Sequence, residues 1–332
     1  MSVVERLGLH NKVVNAIRGF LSENKYIEVP VPELTPATGS CEVVDSMFSL
    51  DYFGALAFPR QTGQLYLEEL LAMHDEFDGL YCEGESFRRE QKVDDRHLTE
   101  FKLIEVEKRN MTLSELCDLQ ENLLRYVMMY SVSDEELANA ILNKGQAHPR
   151  ITYREAIKIL RDKGSKIKFG DDLGNDEETA LVLHCGNIPI HITHFPESLK
   201  FFNMKIDRHD PEVVVCSDYI MPNSGETFGS SLREPDVDIL GKRLYEGTMY
   251  EHLMSRVDAF ADLHNIKQEE CASSINRAFE RYLDLFRNKN IERAGFGLGV
   301  ARLLQYLAKA KSVKDVVLFP MDRTRYGHIA VQ

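Results

Sequence analysis

The chain has 332 residues, with 40 Lys and Arg against 53 Asp and Glu, for a formal charge of −13. Its 43 % apolar and 28 % charged residues are those of an ordinary globular protein with one large domain or two modest ones. No apolar run nears the ~18 residues of a membrane span, the six scattered cysteines form no CxxC pair, and the acidic balance speaks against gripping nucleic acid by charge alone.

Residues 5–25 carry apolar side chains at helical spacing (Leu7, Val13, Val14, Ile17, Leu21). This charged amphipathic start lacks the apolar centre of a signal peptide, so a cytoplasmic protein with free thiols is expected. The chain then extends from Tyr26 to Pro32, where two prolines one residue apart suit an edge strand. A helix is expected over 64–75, and strands over 79–87 and 98–107 around a charged loop, 89–97. Helices follow over 112–130 and 134–143, and another in the stretch YREAIKILRDKG. Strands are expected over 188–193, 213–221 and 226–232, helices over 236–264 and 266–287, and a glycine-rich strand feeding a helix in GFGLGVARLLQYLAKA. With no repeat and no linker, this order predicts one α+β domain on an antiparallel sheet with helices on its faces.

Three segments carry candidate chemistry. In FRREQKVDDRHLTEF, Arg88 and Glu90 alternate along a strand, and His97 and Phe101 begin the return strand. An arginine fixed on a sheet suits a phosphate oxygen and a phenyl ring suits a base, although a solvated charged hairpin has the same composition. In GFGLGVARLLQYL, Gly295, Gly297 and Gly299 strip one strand face of side chains. A flat ligand would lie there under Arg302, or a helix would pack closely. In DYIMPNSGETFGSSLRE, Asp218 and Glu226 bracket a turn and would share a Mg²⁺, and Arg233 follows.

In this order the segments resemble the three signature motifs of class II aminoacyl-tRNA synthetases, and the asparaginyl branch most closely. Motif 1 corresponds to about 5–36 with Pro32, motif 2 to about 80–107 (Phe87-Arg88-Arg89-Glu90, then Arg96-His97 to Phe101), and motif 3 to about 293–310. Thr62-Gly63-Gln64-Leu65 with Glu68, Cys41-Glu42, FPESLKFFNM and GETFGSSLRE extend the likeness over nearly the whole chain.

The resemblance implies a class II synthetase-like core that binds ATP bent on the sheet. Arg88 would hold the α-phosphate, Phe101 and Arg302 would sandwich the adenine over Gly297 and Gly299, Glu90 would accept from its amino group, and His97 would meet the distal phosphates. Mg²⁺ would sit on Asp218 and Glu226. Glu42 and Gln64 would hold the amino acid's ammonium and carboxylate, and Arg233 its side-chain carbonyl. Relatives that activate aspartate carry a lysine three residues after this glutamine; here that residue is Leu67, followed by Glu68, which favours an amide side chain.

Three departures stand out: Ala301 replaces the usual acidic residue before the motif 3 arginine, Gly229-Ser230-Ser231-Leu232-Arg233 replaces GGSQR, and Met321 replaces an arginine. Motif 1 begins near residue 5, so no N-terminal anticodon-binding β-barrel is expected. A homodimer through motif 1 is expected, with the aminoacyl-adenylate passed to an acceptor other than tRNA. A synthetase acting on the acceptor stem, an ammonia-using asparagine synthetase and a non-catalytic sensor of amino acid or nucleotide are the alternatives.

Overall fold

The computed structural model describes residues 1–36, 46–287 and 289–325. In chain order the first half runs α1 (Val3–Glu23), β1 (Ile27–Glu28), β2 (Leu34–Thr35), β3 (Leu50–Tyr52), β4 (Ala55–Pro59), α2 (Gln64–Met73), β5 (Gly79–Phe87), β6 (Glu100–Arg109), α3 (Leu113–Ser131) and α4 (Glu135–Leu142). The second half runs β7 (Arg150–Thr152), α5 (Tyr153–Asp162), α6 (Asn175–His184), β8 (Ile190–Thr193), β9 (Cys216–Met221), β10 (Gly225–Leu232), α7 (Val237–Tyr245), α8 (Thr248–His264), α9 (Gln268–Arg287), β11 (Arg293–Gly299) and α10 (Val300–Leu307).

Local chemistry explains several boundaries. Ser2 and Glu5 close a reciprocal capping box that starts α1, and Thr112 with Glu115 and Thr152 with Glu155 do the same for α3 and α5. The stretch 236–264, expected as one helix, is two. The break falls at Glu246-Gly247, where Gly247 is the N-cap of α8 and a Cβ on it would press into the Arg243 carbonyl at 2.5 Å.

Eight strands form the main sheet in the order β1-β5-β6-β11-β10-β9-β8-β7, and β2-β4-β3 form a small second sheet. Neighbours from β5 to β8 are antiparallel, while the edge strands β1 and β7 pair in parallel. The expected α+β architecture is therefore present, with the proline-flanked strand at one edge. On one face of the sheet, Ile104, Val106, Phe228, Phe296 and Leu298 pack with the apolar sides of α1, α3 and α10. Removing a ring such as that of Phe296, which is fully buried, would cost about 3–5 kcal/mol. A second apolar cluster fills the space between α2 and α7 to α9, and a third lies under α5 and α6.

Beneath α3 this dense face also encloses charge. The His191 ring stacks on Tyr219 with centroids 4.0 Å apart, shares Nδ1 with the Ser217 hydroxyl at 3.0 Å, and stands 3.5 Å from Glu121. Glu121 also accepts from Arg150 at 2.9 Å and from the His148 N–H at 3.1 Å. Burial would raise the Glu121 carboxyl, but His191, Arg150 and the His148 N–H outweigh it and hold it down at about 2. Burial pushes His191 down to about 4 despite Glu121. The folded chain thus keeps His191 neutral. The unfolded chain binds a proton there below its ordinary value, so stability is present above pH ~6.5 and lost as pH falls toward 4. Thermal melts from pH 7.5 to 4.5 are expected to show a loss on the order of 3 kcal/mol from this group, and a His191→Gln variant should lose that part of the pH dependence.

Candidate active site

Strand β6 presents Phe101, Leu103, Glu105 and Glu107 on one face, and the last three lie opposite Gly299, Gly297 and Gly295 of β11. In β10, Gly229 faces Gly297 and Ser231 faces Gly295. Because alternate residues point to opposite faces, β11 buries Ala294, Phe296 and Leu298 in the core while its other side is bare backbone. That bare strip floors a cleft of about 1060 Å³, open to solvent, whose walls include Gln64, Arg88, Glu90, His97, Phe101, Glu226, Arg233 and Arg302.

Arg88 and Glu90 reach the cleft by a different route from the one expected. β5 ends at Phe87, so both stand in the loop instead of alternating along the strand. The Arg88 N–H makes one more rung to the Thr99 carbonyl (2.9 Å). The Arg89 N–H then donates to Ser46 (2.6 Å), and the Glu90 N–H folds back onto the Arg88 carbonyl (2.7 Å). The Arg88 guanidinium stands 5.2 Å from the centre of the Phe101 ring, within cation–π range. His97 likewise precedes β6 and sits in the loop, where Asp94 meets its Nδ1 at 2.7 Å and accepts its N–H at 3.0 Å. Arg302, in the first turn of α10, donates Nη1 to the Glu226 carbonyl at 2.7 Å.

The same loop is fastened by a residue that the sequence reading missed. Arg96 pairs with Glu178 of α6 at 2.6 Å, and burial pushes the Glu178 carboxyl up to about 7 against the pull of Arg302 and Arg96. Gly225, at φ 73, lies against this pair, and a Cβ there would collide with both side chains.

Asp218 and Glu226 occupy adjacent strands. The Glu226 carboxylate lies over Gly229, whose partner in β9 is Asp218. Asp218 accepts from Lys200 at 2.8 Å, and the Lys200 ammonium stands 4.2 Å from the Phe195 ring centre. Among the described residues no three His, Cys, Asp or Glu side chains converge. Glu226 lines the cleft, whereas Asp218 is buried against Lys200 behind it, so a hard cation at Glu226 would draw its other ligands largely from water and phosphate oxygens. This fits Mg²⁺, which keeps several such ligands.

On another wall of the cleft, Gln64 opens α2 beside Thr62 and Gly63. Glu105 anchors that turn: it accepts from the Thr62 hydroxyl and from the Gly63 N–H at 2.6 Å, and burial raises its carboxyl. The period-2 alternation Phe101-Leu103-Glu105-Glu107 was the signal that would have found it. Glu68 needs a correction. It is fully buried and does not line the cleft; Asn203, Tyr282 and Arg293 take its two oxygens at 2.5, 2.9 and 2.7 Å. A carboxylate satisfied from within is not placed to receive a substrate amide. Arg233 does line the cleft, braced by Glu107 and by Ser231 at 2.7 Å. Glu42 and Cys41 lie outside the described residues, and the other five cysteines are free.

The sequence pattern of the family described as tRNA synthetases class II (D, K and N) matches residues 2–323. The chain belongs to this family. It is 31 % identical over 323 residues to the asparagine–tRNA ligase of Pelotomaculum thermopropionicum, covering 95 % of this chain and 68 % of that one. The crystal structure of asparaginyl-tRNA synthetase from Pyrococcus horikoshii complexed with asparaginyl-adenylate superposes with a TM-score of 0.79 at 30 % identity, over 98 % of this chain and 70 % of that one. The asparaginyl-tRNA synthetase of Entamoeba histolytica, at 23 % identity and a TM-score of 0.75 over 97 % and 68 % of the two chains, shares the fold. Class II synthetases are ATP-dependent ligases that use Mg²⁺ and form aminoacyl-adenylates, and this chain is a ligase of that class. No helix among the described residues is long and apolar enough to cross a membrane.

The floor makes two glycines experimentally distinct. A Cβ on Gly297 meets only ordinary contacts, 3.7 Å or more away, whereas one on Gly295 would collide with Glu107 and the Val106 carbonyl. Gly297→Ala should therefore fold with an unchanged melting temperature but bind ATP at least about tenfold more weakly by calorimetry, a loss of roughly 1.4 kcal/mol. Gly295→Ala should lower the melting temperature itself.

Proposed function

We propose that this cleft activates an amino acid with an amide side chain, asparagine or a close analogue, as its adenylate and passes it to an acceptor other than tRNA. The observation that carries the activation reading is the meeting of Arg88, Phe101 and Arg302 with Gln64 and Arg233 around one bare glycine floor. Adenine would lie against the floor beside Phe101 and Arg302, with Glu90 accepting from its amino group. Arg88 would neutralise the α-phosphate and His97 the distal phosphates. Bound at Asp218 and Glu226, Mg²⁺ would offset polyphosphate charge. Gln64, with Glu42, would orient the amino acid so that its carboxylate oxygen faces the α-phosphorus. The new bond is carboxylate oxygen to phosphorus, and pyrophosphate leaves. No side chain of the protein acts as nucleophile, so positioning and charge neutralisation supply the rate. Leu67, fully buried, puts no cation where a carboxylate side chain would need one.

The acidic balance of −13 supports a non-tRNA acceptor, since it provides no general attraction for a polyanion. Transfer to tRNA is the second reading, favoured by the 31 % identity to an asparagine–tRNA ligase. We further propose a homodimer through α1 and β1: Val4, Leu7 and Ile27 are 79, 43 and 49 % exposed there, and among the described residues β1 stands at the edge of the sheet.

A screen of amino acids in ATP–pyrophosphate exchange tests the activation reading, with asparagine expected to give the strongest signal. Arg88→Ala should reduce exchange at least about a hundredfold, in the range that one lost oxyanion donor costs; retained exchange would remove Arg88 from the α-phosphate. Charging of bulk tRNA would replace the first acceptor by the second. Light scattering at micromolar concentration should give twice the 38.1 kDa chain mass, and a monomer would contradict the dimer.

A further inference from the structure

Behind Arg233 lies a closed cluster of charge. The Arg233 Nε donates to Glu107 at 2.9 Å, and its Nη2 donates to the same carboxylate. Arg293 pairs with Glu68 at 2.6 Å, Tyr282 donates to Glu68, and Arg233 stands 4.0 Å from it. Every one of these side chains is at most 1 % exposed. Two carboxylates face two guanidinium groups, so the formal charge of the cluster is zero. An uncompensated charge at such depth is expensive, so whatever enters beside Arg233 must respect that balance.

Of the four, Arg233 alone lines the cleft, and its direct counter-ion is Glu107. We propose that Glu107, without touching the substrate, decides between an amide and a carboxylate side chain by holding this cluster neutral. The inference rests on the amino-acid-activating reading given above. A substrate amide leaves the sum at zero and takes one donor of Arg233 on its carbonyl. A substrate carboxylate would make the sum −1, with Glu107 already on the guanidinium that should receive it. Selection therefore acts through the charge behind Arg233, and Glu68, matched by Arg293, is one step further back.

Glu107 is the adjustable member. Its Oε2 has no hydrogen-bond partner, and burial pushes its carboxyl up to about 7 against the pull of Arg233. The charged groups around it are Arg233 from β10, Glu68 from α2 and Arg293 from β11, and Tyr282 of α9 closes the cluster beyond Glu68.

The test is ATP–pyrophosphate exchange with asparagine and with aspartate, read as the ratio of their kcat/KM values. In Glu107→Gln the cluster carries +1, and the aspartate-to-asparagine ratio should rise at least about tenfold over wild type, or roughly 1.4 kcal/mol of discrimination. An unchanged ratio in a folded variant that still activates asparagine overturns the proposal. So does loss of exchange with both amino acids in a folded variant, which would make Glu107 only a brace for Arg233. Should the variant fail to fold, wild type decides by itself. Aspartate stays ionised from pH 8.5 to 6, whereas Glu107 gains a proton across that interval, so the ratio should climb as pH falls, and a flat ratio overturns the proposal. Wild type that activates no amino acid would instead sink the activation reading, a different result from exchange with an unchanged ratio.

Discussion

Everything at the site depends on one strand being two different things at once. On one side of β11, Ala294, Phe296 and Leu298 must be large enough to close the core against α1, α3 and α10. On the other, Gly297 and Gly299 must be nothing at all for the cleft to have a backbone floor, and Gly295 for Glu107 to approach closely. The pleat makes both demands compatible because side chains alternate strictly. A slip of one residue in the pairing with β6 would exchange the two faces, placing phenylalanine in the cleft and glycine in the core. The apolar face holds the register, and the register delivers the cleft.

The charges follow from the same geometry. Acidic residues of β6 that a helix would scatter are lined up at every second position, where they do different work. Glu105 fastens the turn that starts α2, and Glu107 faces Arg233. The far side of the sheet also holds charge, at Glu121, Arg150 and the two buried histidines, but there Glu121 is held between the histidines and Arg150, and none of these groups lines the cleft. A closed polar network holds a structure in place, and one whose arginine opens on a cleft can also recognise a ligand.

Much of this was legible in the sequence. Helical spacing in α1, the paired prolines beside β1, the hairpin of β5 and β6 and the alternate glycines of β11 are local patterns, and local patterns survive without a structure. Eight of the candidate side chains, from Gln64 to Arg302, and the two glycines Gly297 and Gly299 do line one cleft. What escaped were relations between distant elements. Glu178 acts through a helix outside every recognisable motif. Glu68 is turned inward by Asn203, Tyr282 and Arg293, none of which is near it in the chain. Where the chain leaves the strand after Arg88 depends on the Ser46 carbonyl that takes the Arg89 N–H. The break between α7 and α8 was local, but a single Gly247 within a helical pattern is a weak signal.

The contact between Glu68 and Arg293 joins residues 225 positions apart, and that separation bears on how the molecule comes into being. Loop closure over such a span costs entropy before any contact rewards it, so long-range pairing of this kind is slow. On a ribosome delivering about 5–20 residues per second, α2, β5 and β6 are complete long before β11 emerges. Through that interval Glu107 waits for Arg233 after β10 and Glu68 waits longer still for Arg293, while the apolar side of β6 has no neighbour on its open edge. The nascent chain must therefore carry an unpaired Glu68 and an exposed strand edge until β11 is made. Glu105 and Glu107, charged residues on the waiting strand β6, also discourage another strand from pairing there first.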